Sequence, residues 1–142
     1  MAIPARYVPF GDGYVLTVRV MLNLTCRWYS FVLDTGSVHL AIAPAVCAEL
    51  GLRPVGGTFS IPDPTTGTVR RADALRLESL IVETDDDTIV GRVRPYAVAL
   101  DWQAAPGFAR DIDGLLGMQF LMEYAHVHID VRTPRLVFDR PS

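Results

Sequence analysis

The chain has no lysine. All thirteen of its basic residues are arginine, a bias with no structural cause that reads as the mark of a GC-rich coding sequence. Cysteine is nearly absent as well. Cys26 and Cys47 are the only two in 142 residues, too few for a disulfide scaffold. In a chain without an export signal, two thiols are expected to be reduced and buried rather than bridged. The start, MAIPARYVPFGDGY, lacks the basic segment and apolar run of a secretory signal. No apolar stretch approaches the ~20 residues of a membrane span. A cytoplasmic location with no membrane partner is therefore expected. Nor is there an excess of positive charge: the formal net charge is −3, which argues against general nucleic-acid binding.

Other absences narrow the chemistry. No phosphate-loop or dinucleotide fingerprint occurs, and no GxSxG surrounds a serine. His126 and His128 lie two apart on a predicted strand and share a face. Without further ligands at metal-binding spacing they read as a hydrogen-bonded strand pair, so no metal and no cofactor are expected. The sequon Asn23-Leu24-Thr25 falls in a predicted strand and reads as chance. There is no linker and no low-complexity segment, so residues 1–142 read as one domain. Half the residues are apolar and a fifth are charged, the composition of a globular protein.

What the chain does have is many short strands. Tyr14–Asn23 and Arg27–Asp34 carry β-branched and aromatic residues and a short link, which predicts a hairpin. Val38–Ala43 continues extended. Ala43–Gly51 predicts a short helix, with Pro44 in its first turn and Gly51 at its end. Gly56–Arg71 holds Pro62, Pro64 and Gly67 and predicts a hairpin tip. Ala74–Glu83 and Thr88–Leu100 are strand-like, joined by an acidic turn at Asp85–Asp87. Residues 101–111 read as a loop, Ile112–Met118 as an apolar strand, and Gln119–Ala125 as a helical turn or two. Val127–Val131 and Arg135–Asp139 flank Thr133-Pro134 as a closing hairpin. The expected class is all-β, a barrel or sandwich with one or two short helices.

One stretch, FVLDTGSVHLAI from Phe31 to Ile42, poses a question. Asp34 directly follows three apolar residues, and a carboxylate in an apolar setting is costly unless compensated. An Asp-Thr-Gly turn capping its own backbone is the ordinary explanation. A second segment, IDGLLGMQ from Ile112 to Gln119, repeats the pattern of an apolar strand running into glycine.

Taken together, VLDTGS, a Pro/Gly-bearing hairpin about thirty residues on, and DGLLGMQFL before a final IDVRTPRLVF resemble the retropepsin-like aspartic proteases. The likeness is greatest to their bacterial single-domain members and spans roughly residues 12 to 139. One position departs from the pattern: Gln119 stands where the family often has Asp or Asn.

The resemblance implies a closed β-barrel with a flap and an aspartic endopeptidase activity. In that chemistry two facing carboxylates share one proton, the charged one activating a water and the protonated one polarising the scissile carbonyl. Asp34 would be the acid/base. Gly36 would donate its N–H to the Asp34 carboxylate, Ser37 Oγ would donate to its outer oxygen, and Thr35 would clamp to its counterpart across the dyad. The second glycine loop, with Leu116 and Gly117, offers no equivalent aspartate, and Asp113 falls before the glycine. One chain therefore holds half a dyad, and a homodimer with a two-fold axis between two Asp34 side chains is implied. Phe59–Val69 would be the flap, with Ile61 and Gly67 near its tip. An extended peptide would add to the cleft as a strand, over pockets lined by Val38, Ile61 and Leu115. His39 reads as either a substrate contact or a plain surface histidine. The alternative of a different class is a dimerisation or peptide-binding module with this fold and no efficient proteolysis.

Overall fold

The computed structural model describes residues 2–62, 67–86, 90–99, 111–124 and 126–139. The chain opens with a hairpin. β1 (Ala2–Phe10) and β2 (Gly13–Leu22) pair from Ala5↔Val18 to Phe10↔Gly13 around the two-residue turn Gly11-Asp12. Gly11 sits at φ 56°, the left-handed conformation that tight hairpin turns demand. The sequence reading assigned no strand before Tyr14. Pro4 and Pro9 hide the strand pattern, because proline is usually a strand breaker; the outer half of β1 pairs with a terminal strand instead.

β2 then turns at Asn23 and Leu24, φ 52° and 54°, into β3 (Trp28–Leu33). Asn23 belongs to this turn, not to a strand, and its Oδ1 accepts the N–H groups of Glu78 and Ser79 at 2.8 and 3.3 Å. Cys26 follows at φ 60° and is exposed, against the expected burial, because the turn carries it outward; Cys47 is half-buried. β4 (Ala41–Ile42) leads into α1 (Pro44–Leu50), which ends at Gly51 with φ 64°.

β5 (Pro54–Pro62) and β6 (Val69–Arg76) form the expected hairpin, with Pro62 opposite Val69. The two long strands expected next are each broken. β6 gives way at Leu77 to β7 (Ser79–Val82), and β8 (Val90–Val93) gives way at Arg94-Pro95 to β9 (Tyr96–Ala99). Pro95 supplies no N–H to a ladder, and Arg94 adopts φ 52°. The breaks face each other: Leu77 N–H donates to Pro95 O at 3.0 Å and Arg94 N–H to Glu78 O at 2.9 Å. Beyond them the partners change, from β6·β9 to β7·β8, with β7 also on β2.

β10 (Gly114–Leu116), α2 (Met118–Leu121), β11 (His126–Asp130) and β12 (Arg135–Asp139) complete the chain. The strands form one sheet in the order β11-β12-β1-β2-β3-β10-β4-β9-β6-β5, with β7 and β8 branching from β2. The all-β class with two short helices is the one the sequence predicts, and among the described residues the strand path is not joined end to end. The β5 end carries a register shift between Pro54 and Thr58, with Gly56 and Gly57 at φ 83° and 95°, and such a bulge turns an edge away from further pairing. Trp102 and most of the 101–111 loop lie outside the described residues.

Four central strands are covered on both faces, which explains their unbroken apolar runs. Neighbouring residues point to opposite sides. Phe31, Ile42, Ala97 and Leu116 enter the main core with Ile3, Val20, Tyr29 and Leu136. Val32, Ala41, Val98 and Leu115 form a second, smaller cluster with Ile112. Phe59, Ile61 and Ala72 of the β5–β6 hairpin pack on that second cluster. Burying Phe31 completely contributes about 2–3 kcal/mol.

Candidate active site

The site grows from the way β10 is inserted. It runs parallel to β3 (Gly114↔Phe31, Leu116↔Leu33) and antiparallel to β4 (Gly114↔Ile42, Leu115↔Ala41). The loop from Asp34 to Leu40 must therefore step over the end of β10, roughly 9.5 Å at two strand spacings. Its backbone is pinned from below. Asp34 N–H donates to Leu116 O at 3.0 Å, Met118 N–H to Ser37 O at 2.7 Å, and Gln119 N–H to Val38 O at 3.1 Å. At Gln119, the position that departs from the family pattern, it is thus the main chain that ties down the loop.

Two glycines make this closeness feasible. A Cβ on Gly117 would lie 2.6 Å from both the Ser37 and the His39 carbonyl oxygens. One on Gly114 would lie 2.4 Å from Ala41 O and 2.6 Å from Phe31 Cζ. These are backbone and packed-ring contacts that no side chain tolerates.

At the top of the loop Asp34 is partly buried, while Thr35, Gly36 and Val38 are exposed. Gly36 N–H donates to Asp34 Oδ1 at 2.8 Å, the contact expected from the sequence. Ser37 behaves differently from expectation. Its Oγ donates to the His39 carbonyl at 3.1 Å and not to Asp34, because the loop's curvature offers the hydroxyl a carbonyl two residues on. His39 is half-buried against the Phe59 ring, with centroids 4.7 Å apart. Ile61 and Leu115 meet in the second cluster, and Leu115 is buried there. Leu116 is in the main core. Gly67 turns at φ 68° beside the hairpin tip; residues 63–66 of that tip lie outside the described residues.

Asp113 holds the far end of β10. Its Oδ2 accepts Ser30 N–H at 2.9 Å, its own N–H donates to Ser30 O at 2.8 Å, and its carbonyl accepts Ala43 N–H at 2.8 Å. Burial pushes its carboxyl above the ordinary aspartate range. The Ser30 N–H and Arg27 oppose that shift; Glu49 and Asp111 add to it. Nearby, Arg27 pairs with Glu49 and lies over the Tyr29 ring, and burial with Glu49 raises the Tyr29 phenol.

His126 and His128 stack at 6.0 Å, both beside Asp139 Oδ2, at 4.0 and 3.3 Å. Among the described residues no group of three or more His, Cys, Asp or Glu is placed to hold a metal ion, and no helix is long and apolar enough to cross a membrane.

An aspartyl protease family model matches residues 18–120, a span that contains the Asp34 loop, the hairpin and the second glycine loop. The chain belongs to the aspartyl protease family. Its fold is that of the retropepsin-like members. A retropepsin-like aspartic protease from Rickettsia conorii aligns over 96% of this chain and 90% of its own, with a TM-score of 0.55 and 15% identity. The retroviral protease-like domain of Ddi1 from Leishmania major aligns over 87% and 93%, with a TM-score of 0.47 and 12% identity. No curated protein matches the chain.

Within this aspartyl protease, sequence reasoning missed two contributors to the site's frame. Phe59 carries the contact with His39, and an alternating hairpin gives no hint of which aromatic folds back. Arg92, on β8, pairs with Glu123 and donates to the carbonyls of Gln119 and Phe120 at 3.4 and 3.2 Å. It thereby braces α2 beneath the loop, from a strand with no motif to mark it.

Proposed function

We propose that the protein is an aspartic endopeptidase whose catalytic water is activated by a pair of Asp34 carboxylates, one from each chain of a homodimer. The observation that carries the reading is the Asp34 loop itself: a solvent-reaching carboxylate, oriented by Gly36 N–H, on backbone pinned at three points to the second glycine loop. Such fixed positioning is what acid/base chemistry on a bound water needs. One chain offers one carboxylate, since GLLGMQ from Gly114 to Gln119 contains no acid. The mechanism divides the work between a charged and a protonated member, and two adjacent carboxylates cannot both ionise cheaply. Their titration belongs to the pair. Thr35, exposed beside Asp34, would bond across the dyad. The β5–β6 hairpin would close on an extended peptide, with Val38, Ile61 and Leu115 toward apolar side chains and His39 at its edge.

The test is digestion of a peptide library by wild type, Asp34→Asn, and mixtures of the two, from acidic to neutral pH. Asp34→Asn should remove cleavage without unfolding the protein. Added in excess, it should suppress wild-type activity, because mixed dimers lack half the dyad. Undiminished cleavage by Asp34→Asn would remove the proposal. A folded wild-type dimer that binds a statine-type peptide mimic yet cleaves nothing would point to the peptide-binding module instead.

A further inference from the structure

The break between β6 and β7 and the break between β8 and β9 leave a cavity at the base of the flap hairpin. Its volume is about 720 Å³, and it is lined by Val55, Gly56, Arg76, Leu77, Glu78, Arg94 and Tyr96. That volume is ordinary for a small-ligand site. Two of the lining residues are cationic and one is anionic. The Arg76 guanidinium lies 4.2 Å over the Tyr96 ring and donates from Nη1 to the Tyr96 hydroxyl. That stack fixes a long side chain in one place before any ligand arrives. The Arg76 Nε is buried and has no hydrogen-bond partner among the described residues, as is also true of Ser79 Oγ and Arg92 Nε, so it is the Nη end of the guanidinium that is left to meet a ligand. Arg94 is exposed, and its backbone is held in the left-handed region at φ 52° with its N–H on Glu78 O, so its side chain starts from a fixed point on the wall. Val55, which is exposed, adds apolar surface.

We propose that this cavity is a recognition site for a carboxylate, held between Arg76 and Arg94 with its carbon chain against Tyr96 and Val55. A planar guanidinium already stacked on an aromatic ring suits two-point pairing with a carboxylate. The site is separate from Asp34 and stands whether or not Asp34 is catalytic. It is also linked to the Asp34 loop. The Tyr96 ring is 6.5 Å from Phe59, whose ring is 4.7 Å from His39. An extended peptide rising ~3.3 Å per residue covers that ring-to-ring path in about three to four residues. An acidic side chain of a peptide lying along the flap and a free small carboxylate are the two sources of such a group.

The test is titration of the ¹⁵N-labelled protein at low salt, read on the arginine Nε–H cross-peaks. The probes are a blocked alanine peptide with one central glutamate, the same peptide with glutamine, and succinate. Arg76→Gln and Arg94→Gln assign the two cross-peaks. The glutamate peptide should shift both and the glutamine peptide neither. Arg94→Gln should weaken binding about tenfold. Glu78→Gln should tighten it roughly two- to fivefold by removing the one like charge, a gain that a loosened fold does not produce. Preference for the glutamate peptide over succinate assigns the site to peptide side chains; equal or tighter binding of succinate assigns it to free carboxylates. Equal shifts with the glutamine peptide, no shift at millimolar probe, or binding indifferent to both Arg94→Gln and Glu78→Gln would overturn the proposal.

Discussion

Gly117→Ala tests the contact on which the site is built. The added methyl would sit 2.6 Å from two backbone oxygens and 2.9 Å from the Val38 carbonyl carbon. Ordinary contact begins near 3.4 Å, so the Ser37–His39 backbone must retreat by about 0.8 Å. Overpacking of that kind costs about 1–3 kcal/mol. The retreat also stretches the Met118–Ser37 and Gln119–Val38 hydrogen bonds, each contributing about 1 kcal/mol. A loss of about 3 kcal/mol leaves a typical domain folded and lowers Tm by roughly 10 °C. Cleavage should fall much further, about a hundredfold or more, because a displacement near 1 Å at a positioned carboxylate has that effect. Gly13→Ala is the control: its Cβ would meet one oxygen at 4.0 Å, and it should change little. Thermal unfolding and peptide cleavage are measured on both variants. If Gly117→Ala melts with Gly13→Ala and retains activity, the loop is not held against β10 as described.

Other outcomes follow from the same geometry. Asp113 has a raised carboxyl pKa in the fold. Its native form therefore binds more protons than the unfolded chain between the two pKa values. The resulting stability is fully present below the unfolded value and is lost as pH rises through the folded value. Asp113→Asn should accordingly raise Tm at neutral pH and lose that advantage in acid; a constant difference across pH would refute the assignment. Arg92→Ala should destabilise the protein by about 1–2 kcal/mol in denaturant unfolding and lower kcat more than KM, because it acts through α2; an unchanged kcat would separate Arg92 from the site. A thiol reagent should label exposed Cys26 quickly and Cys47 slowly, since burial pushes the Cys47 thiol up; equal rates would contradict its placement.

Local pattern marked most of the fold. The α1 helix follows from Pro44 and Gly51, and the β2–β3 and β11–β12 hairpins from strand composition around short turns. The strand break at Leu77 did not show in the sequence, and the facing break at Arg94 was marked only by Pro95. An apolar residue followed by a charged one continues a strand pattern, and only the mutual hydrogen bonds across the two chain segments turn them together. β1 was hidden because its prolines are tolerated only where particular neighbours pair with it.

For the site, the sequence by itself determined that one carboxylate follows an apolar strand into glycine, and that a second glycine-bearing strand repeats the form without an acid. Those are facts of residue identity, and carboxylate chemistry does not depend on fold to be recognised. Only the tertiary structure decided that the second strand slides between the two arms of the first, that Ser37 bonds to His39 and not to Asp34, and that Arg76 and Arg94 face one cavity. Each depends on which backbone groups remain free after distant segments pair, and no local spacing encodes that.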